Sequence, residues 1–427
     1  MRTTMSNLPK ELVEDIVSRV PLHCLRAMRL TCKNWNALLE SQSFKKMHIR
    51  KEEEAARELG ENRMIVMMDY NVYLMGIIVN ENLSIKSLGK LTCLHGSKQV
   101  KISQVFHCEG LLLCILKDDD TKIVVLNPYL GQTRWIQTRK YHRTSEWEGR
   151  DVYNYALRYE TNSGNRSPKI LRFIDDFHHH PENPALRYET YDFDTDLWTT
   201  LDVSPHWRII SRCGGVSLNG NTYWGAVERN ASAYIGHMIC FDFTRGGFGP
   251  LIPLPFKARG LVFAPLSSDR AEKIAALFRT SKKVVIWITT KIDATNVTWS
   301  NFFTIYISNL ERNLSCKSFF TIYISNLERN LSCKSFFIDM EKKVAMVFDK
   351  EKGKKVAHNI INIIGEAGCV RKLVLKESGD KSCWPLVCSY VPSTVQIKQH
   401  NRGKRQKKVI RKGIDIDMRH DKRIKVD

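Results

Sequence analysis

The sequence lacks any apolar run long enough to cross a bilayer. One of its densest runs, Gly110–Leu116 (GLLLCIL), is far shorter than the roughly 20 residues that a transmembrane helix needs. The first residues, MRTTMSNLPKELVED, also lack the apolar segment of a secretory signal. We therefore expect an intracellular protein of the nucleus, the cytoplasm or both, with no membrane partner.

Metal-binding and catalytic motifs are missing as well. The twelve cysteines form no CxxC pair and no Cys/His spacing typical of a metal site, which predicts reduced, mostly buried thiols. The motifs GxxxxGK[ST], GxSxG and HExxH do not occur. His178–His180 follow Asp175 and Asp176, but consecutive side chains on an extended chain point to alternating sides, so we expect a surface loop there. The sequence thus predicts no cofactor, no metal and no catalytic residue.

Positive charge is abundant. The chain has 66 Lys and Arg against 45 Asp and Glu, a formal net charge of +21, which favours acidic partners or polyanions. Residues 400–427 contain eleven Lys or Arg and four Asp without apolar periodicity, which predicts a disordered basic tail. Its run Gly403–Lys412 fits either a nuclear-localisation or nucleic-acid patch or a solvated tail with no specific reader. The candidate nuclear-localisation residues are Lys404, Arg405, Lys407, Lys408, Arg411 and Lys412.

The first forty residues carry a helical pattern. Pro9 suits a first helical turn, where a missing N–H costs nothing. The apolar residues that follow recur at helical spacing and predict an amphipathic helix with a broad stripe; they are Leu12, Val13, Ile16, Val17 and Val20. Pro21 ends this helix, and two further short helices follow. Because so small a unit cannot bury these faces alone, they pack either on the rest of this chain, as a cap, or on another protein.

Residues Leu8–Leu39, LPKELVEDIVSRVPLHCLRAMRLTCKNWNALL, resemble an F-box. The resemblance lies in the initial Leu-Pro, the internal Pro21 and the late Cys32-Lys33-x-Trp35, and it covers the motif without a gap. It implies docking on a Skp-type adaptor, and through it on a cullin-based ubiquitin ligase. The residues implied to bind the adaptor are Leu8, Pro9, Leu12, Ile16, Pro21, Leu25 and Trp35. The sequence leaves open whether Trp35 instead stabilises the unit's own small core.

From about Met64 the sequence changes to short β-rich runs separated by turns. Asn219-Gly220 lies between two strand-like runs, which is the signature of a type I′ hairpin. The stretch LLLCILKDDDTKIVVLN predicts a second hairpin that turns at Asp118–Thr121.

One pattern recurs in this β-rich body: an apolar strand, an Asp or Asn, a turn and a bulky aromatic residue. The aromatic residues Trp135, Trp198, Phe248 and Trp299 are separated by 63, 50 and 51 positions. A period of about 50 is typical of kelch-like propeller blades, with each aromatic side chain packed between neighbouring sheets. Because the period is loose, a pair of β-sandwiches stays open as an alternative.

Several stretches between about Val105 and Ile397 are similar to the F-box-associated interaction domain of the large plant F-box family. They include HCEGLLLC, VVLNPYLGQTRWI, GGVSLNGNTYW, ICFDFTRGGFGPLIPLP, SFFIDMEKK and CSYVPSTVQI. The resemblance implies a substrate-binding module without catalysis of its own.

The chain departs from that pattern at one place. The 17 residues FFTIYISNLERNLSCKS occur at Phe302–Ser318 and again, letter for letter, at Phe319–Ser335. Such identity is too complete for a structural repeat, in which only core positions need match, so we infer a recent duplication or a gene-model error. The second copy must loop out, displace its twin or spoil a blade, and its β-prone run is an aggregation liability.

Together these features predict an α+β multidomain chain. We expect a three-helix F-box over residues 1–48, a linker and first β-rich segment over 49–100, an all-β, kelch-like propeller over 101–397, and a disordered basic tail over 398–427.

The expected function is that of a non-catalytic substrate-recognition subunit of a Skp-cullin-F-box ubiquitin ligase. Such a subunit holds an unidentified target protein near a ubiquitin-charged partner and so raises its effective concentration. The alternative is a basic, nucleic-acid-associated propeller with a helical cap, although nucleic acid is the less expected partner. A third hypothesis is an enzyme built on the propeller, but the sequence contains no candidate nucleophile and no candidate set of metal ligands to support it.

Overall fold

The structure is a computed structural model. It describes residues 8–20, 25, 28, 31, 33–79, 84–95, 98–139, 153–162, 165–175, 186–209, 215–218, 220–229, 236–255, 266–268, 273–279, 283–306, 335–352, 356–366, 368–380, 383–398 and 414–417. At the N-terminus lie the helices α1 (Lys10–Val17), α2 (Lys33–Glu40) and α3 (Gln42–Glu58), and Leu25 and Met28 are also helical. We call residues 8–58 the helical unit.

The strands that follow form six antiparallel sheets, the blades of a β-propeller. Blade 1 contains β1 (Glu61–Met68), β2 (Asn71–Ile78), β3 (Ser84–His95) and the short β4 (Lys98–Gln99). Blade 2 contains β5 (Ile102–Cys108), β6 (Leu111–Leu116), β7 (Lys122–Asn127) and β8 (Gln132–Gln137). Blade 3 contains β9 (Asn154–Asn162), β10 (Asn165–Asp175), β11 (Leu186–Asp192) and β12 (Leu197–Leu201).

The remaining blades follow in chain order. Blade 4 contains β13 (Trp207–Ile209), β14 (Val216–Leu218), β15 (Asn221–Glu228), β16 (His237–Asp242) and β17 (Gly247–Pro253). Blade 5 contains β18 (Leu266–Ser268), β19 (Ile274–Arg279), β20 (Lys283–Ile292) and β21 (Val297–Tyr306). Blade 6 contains β22 (Ser335–Asp339), β23 (Val344–Lys352), β24 (Ala357–Gly365) and β25 (Gly368–Ser378). The last strands, β26 (Leu386–Ser389) and β27 (Ile414–Asp417), join blade 1.

The blades form a closed ring around their innermost strands. Around this ring β26, β5, β9, β14, β18 and β22 each contact the next, and β22 contacts β26. A separate apolar core lies between each neighbouring pair of blades. Because both faces of a blade are covered, a strand such as Leu111–Leu116 is buried at every position. This explains why its sequence is a continuous apolar run rather than an alternating one.

The aromatic residues of the 50-residue period lie where the sequence predicts. Trp135, Trp198, Phe248 and Trp299 occupy the outermost strands of blades 2, 3, 4 and 5. Each packs into the core shared with the preceding blade. The propeller prediction is therefore confirmed with six blades, and the alternative of two β-sandwiches is wrong.

Both predicted hairpins are present. Leu218 pairs with Asn221 across a two-residue connection, in which Gly220 has a φ of +75° that glycine adopts without strain. In the second hairpin Ile115 pairs with Ile123, so the chain turns around Asp118–Thr121 as expected.

The C-terminal part of the propeller closes the ring. Strand β26 pairs antiparallel with β1, for example Cys388 with Ile65. Residues Tyr390–Lys398, here called the C-terminal strap, continue along the edge of blade 2. Asn127 Nδ2 donates to the carbonyls of Ser393 (3.0 Å) and Val395 (2.8 Å). The strap passes so near Gly110 that a Cβ there would lie 2.3 Å from Ser393 Cβ, so only glycine fits at that position.

The duplicated segment leaves blades 5 and 6 intact. Residues 302–306 of the first copy form the end of β21, and Ser335, the last residue of the second copy, begins β22. The first copy is therefore not displaced by its twin. Residues 307–334 lie outside the described residues, as do the histidine run His178–His180 and the basic run Gly403–Lys412.

The structure adds detail to two predicted segments, residues 49–100 and the C-terminal tail. Residues 49–100, predicted to hold a linker and a first β-rich segment, contain most of α3 and then four strands of blade 1, β1 to β4. In the tail, Ile414–Asp417 pair with β3, and residues 399–413 and 418–427 are not described.

Among the described residues, no helix is both long and apolar enough to span a membrane. Nor do three or more potential ligands from these residues converge to hold a metal ion.

Candidate binding surface on the helical unit

Helix α1 divides its apolar stripe between two faces. Pro9 caps the helix, and its carbonyl accepts from the N–H groups of Leu12 and Val13, both at 3.1 Å. Val17 is buried, with 1% of its surface exposed, and packs in the core of the helical unit. Leu12 and Ile16, one helical turn apart, are 51% and 40% exposed. Together they form an apolar patch that the described part of the chain leaves exposed.

The structure places the other predicted adaptor-binding residues in different environments. Leu8 is half-buried and Pro9 exposed, next to the patch on α1. Leu25 is 3% exposed and belongs to the core of the helical unit, with Val17, Leu39 and Phe44. Trp35 is half-buried and packs against the same core. Leu25 and Trp35 therefore pack in or against the core that supports α1. Pro21 lies outside the described residues.

Helix α3 holds α1 in place. The Lys51 ammonium binds the Asp15 carboxylate, and Arg19 binds the other oxygen of that carboxylate at 2.9 Å. The hydrogen bond from Lys51 keeps the pKa of Asp15 below its usual value. His48 is fully buried, and its Nε2 lies 3.0 Å from the carbonyl oxygen of Val20. These contacts fix the orientation of α1, and so the position of Leu12 and Ile16.

The same histidine connects the helical unit to the propeller. Tyr129, in the turn after β7, is 4% exposed, and its hydroxyl lies 3.2 Å from His48 Nδ1 and 3.3 Å from the Lys45 carbonyl. Because the Val20 carbonyl can only accept, His48 Nε2 carries the proton and Nδ1 accepts from the tyrosine. Burial lowers the pKa of His48, which favours this neutral form of the ring.

Two further contacts complete the junction. Arg63 of β1 binds Glu52 of α3 at 2.7 Å. Lys342, in the turn between β22 and β23, donates to the Gly60 carbonyl at 3.1 Å. The helical unit thus contacts the turn after β7 in blade 2 and strand β1 of blade 1, and the turn of blade 6 holds Gly60, which connects α3 to β1. We call this side of the propeller the helix side.

The strands that lead into the longest connections end on the opposite side of the propeller. Since successive strands of a blade run in alternating directions, the ends of β8, β10, β15, β17 and β21 lie away from the helix side. The connections that start at these ends are 138–153, 176–185, 229–236, 254–265 and 307–334. We call this the loop side, and it faces away from the patch on α1.

The sequence missed the junction. It contains a signal for α3, because Ser41 accepts from Phe44 N–H as an N-cap, and Ser is a preferred residue there. Nothing in the pattern pairs His48 with Tyr129, which are 81 positions apart. The six candidate nuclear-localisation residues lie outside the described residues.

The helical unit and the six-bladed propeller together define an F-box protein. The family profile of the F-box domain matches residues 5–47, and that of the F-box associated beta propeller domain matches residues 63–397. The chain therefore belongs to the family of F-box proteins that carry an F-box associated β-propeller domain.

Curated relatives from Arabidopsis thaliana agree with this family. An F-box protein is 47% identical over 426 residues, covering 95% of this chain and 94% of the relative. An F-box/kelch-repeat protein is 47% identical over 424 residues, covering 94% and 92%. A protein named Peroxiredoxin-2A is 60% identical over 410 residues, covering 94% of this chain and 70% of that protein.

Solved structures resemble the chain only weakly. The Dos1 propeller covers 76% of this chain and 86% of its own, at 8% identity and a TM-score of 0.31.

Proposed function

We propose that this chain is a substrate-recognition subunit of a Skp-cullin-F-box ubiquitin ligase. The observation that carries the proposal is the apolar patch of Leu12 and Ile16 on a helix that the rest of the chain holds firmly. F-box domains generally bind Skp-type adaptors, and this patch is the face of α1 on which such an adaptor would dock. Pro9 and Leu8 would extend it at the start of the helix.

We further propose that the two binding roles lie on opposite sides of the propeller. The adaptor would bind on the helix side, whereas five long connections start from strand ends of blades 2 to 5 on the loop side. Binding residues are concentrated on loops that a rigid scaffold holds in place, so we propose that the target protein is bound on the loop side. The propeller would then hold the target at a fixed distance from the ligase, with the basic tail directing the protein to the nucleus.

The proposed role needs no bond chemistry from this chain. A thiol-based activity, which the name of one relative suggests, would require an activated thiolate of low pKa. Three of the described cysteines have the opposite property, because burial raises the pKa of Cys240 and of Cys388 to about 12 and also raises that of Cys383. We therefore propose that ubiquitin transfer is catalysed by the other subunits.

A titration of the full chain with a purified Skp-type adaptor tests this proposal. Covering the exposed parts of Leu12 and Ile16 would contribute about 2 kcal/mol, and a carboxylate in their place would be desolvated without a partner. We expect Leu12→Asp plus Ile16→Asp to weaken adaptor binding by more than about 100-fold.

Leu59→Asp is the matched control, since Leu59 is 62% exposed but lies beyond the end of α3. This variant should bind the adaptor as the unchanged chain does. Adaptor binding that survives the double change on α1 would show that the patch is not the docking surface.

A further inference from the structure

Blade 1 differs from the other blades at its outer edge. Counted outward from the centre of the ring, the strands of blade 1 are β26, β1, β2, β3 and β27. In the part of the chain that the structure describes, no other blade has a fifth strand beyond its fourth; here that strand is β27, which pairs antiparallel with β3. This strand comes from the C-terminal tail, far from blade 1 in the sequence. The edge of β3 is therefore able to accept an additional extended segment.

The sequence of β27 stands out within the tail. Residues 400–427 contain eleven Lys or Arg and only four Asp, and two of these aspartates fall in Ile414–Asp417, where they alternate with isoleucines. An alternation of period two is the pattern of a strand with one apolar and one polar face. The segment is thus suited to a sheet edge and differs from the basic residues around it.

The register matches this alternation to β3. Ile416 lies opposite Leu91, and Asp417 lies opposite Lys90. Leu91 is 3% exposed in the core between blades 1 and 2, whereas Lys90 is half-buried and Lys86, further along β3, is exposed. An aliphatic residue is therefore paired with a buried leucine, and an aspartate with a lysine. Cross-strand pairs of both kinds stabilise sheets.

We propose that the outer edge of blade 1 is a binding site for an extended segment of another protein with alternating aliphatic and acidic residues. A free sheet edge presents unpaired N–H and C=O groups, and strand addition to such an edge is a general mode of peptide recognition. Residues Ile414–Asp417 occupy this site within the chain and compete with the external segment.

The tethered β27 is expected to compete strongly with an external strand. A segment tethered by a short linker has an effective concentration on the order of millimolar, so an external strand must displace it to bind. In a ligase receptor the external strand would belong to the target protein, and this interpretation rests on the proposed function. The edge site itself does not depend on it.

Binding of a labelled peptide tests the site. The probe is a fluorescent peptide of residues 411–420, titrated by anisotropy into the full chain and into two opened variants. One variant ends at Lys398, and the other is the full chain with Asp415→Pro and Ile416→Pro. Adjacent N–H groups of a strand point to opposite sides, so one of the two prolines removes a donor that the four-residue β27 offers to β3, whichever side faces β3.

We expect the peptide to bind both opened variants at least about tenfold more tightly than the full chain. Amide hydrogen exchange should also become faster at residues 90–93 in both. A peptide that binds neither opened variant, or all three proteins equally, would overturn the proposal.

Charge exchange supplies the control. A peptide with Asp415→Lys and Asp417→Lys should bind the opened chain more weakly, and Lys90→Glu in the protein should restore its binding. If neither the peptide change nor Lys90→Glu alters binding, the proposed register of the peptide on β3 is wrong.

Adaptor binding, measured on the same proteins, separates the two proposals. If the opened variants bind the adaptor but do not bind the peptide, the edge site is contradicted and the proposed function is not. A wild-type chain that never binds an adaptor contradicts the proposed function alone.

Discussion

Tyr129 Oη lies 3.2 Å from His48 Nδ1 and so connects the propeller to the helical unit. The two rings also pack at a centroid distance of 5.8 Å. Through His48 the contact extends to Val20, just beyond α1. The apolar patch on α1 is therefore held by the propeller and does not depend on the connecting chain alone.

Tyr129→Phe removes the hydroxyl of this junction and keeps the ring. His48 Nδ1 and the Lys45 carbonyl then lose their shared donor in a buried site. We expect the free energy of unfolding to fall by about 1–2 kcal/mol, measured by chemical denaturation. Tyr306→Phe, at a residue 56% exposed, should change it by less than about 0.5 kcal/mol. Equal effects of the two changes would contradict the role of the junction.

Asn127→Asp tests the closure of the ring by the C-terminal strap. The aspartate can still accept from Leu130 N–H, as Asn127 Oδ1 does at 3.0 Å. It cannot donate to Ser393 and Val395, and it sets a carboxylate against two carbonyls. We expect a loss of more than about 2 kcal/mol in unfolding free energy, with Asn296→Asp on an exposed turn as the control. A stable Asn127→Asp protein would show that the strap does not hold blade 2.

His107 predicts a loss of stability in acid. Its Nε2 accepts from Gly110 N–H at 3.0 Å, and burial lowers its pKa to about 4, whereas an unfolded chain has a histidine pKa near 6.5. Below about pH 6.5 the unfolded state therefore binds the proton first. Stability should fall by up to about 3 kcal/mol as the pH drops to 4.

His107→Gln keeps an acceptor for Gly110 but does not titrate. Unfolding free energies measured at several pH values should show a flatter acid limb for this variant than for the unchanged chain. Parallel pH profiles of the two proteins would contradict the assignment to His107.

Asp349 predicts the opposite dependence. It is 3% exposed on β23, and burial raises its pKa to about 7. The unfolded carboxyl releases its proton near pH 4, so stability falls as the pH rises from about 4 to 7. Asp349→Asn keeps the acceptor for Lys350 N–H, at 2.7 Å in the unchanged chain, and removes the buried charge.

We expect Asp349→Asn to be more stable than the unchanged chain at pH 8, by up to about 4 kcal/mol, and nearly equal to it at pH 4. Thermal unfolding at both pH values measures this difference. Asp118→Asn at an exposed position should have no such effect. A gain for Asp349→Asn that is the same at both pH values would have another cause.

The sequence predicted the parts of the fold that repeat or that have local signals. The spacing of Trp135, Trp198, Phe248 and Trp299 identified the blades, because each aromatic side chain fills the same place between sheets. The turn chemistry of Asn219-Gly220 located a hairpin. Leu12 and Ile16 were expected on the docking surface, and both are exposed on one face of α1.

The rest depends on contacts between distant residues, which one sequence does not display. Leu25 has the same helical spacing as a docking residue, yet it is buried because α2 and α3 cover it. The contacts of Tyr129 with His48 and of Asn127 with the strap join positions 81 to 268 residues apart. Blade closure by β26 likewise requires knowledge of the whole ring.

The most direct test of the account is a three-component assembly of the full chain, a Skp-type adaptor and a cullin, followed by size-exclusion chromatography with light scattering. We predict that the chain joins the cullin only when the adaptor is present, with one copy of each. Leu12→Asp plus Ile16→Asp should leave the chain as a separate peak, while Leu59→Asp should assemble normally. A wild-type chain that elutes apart from an intact adaptor–cullin complex would contradict the account.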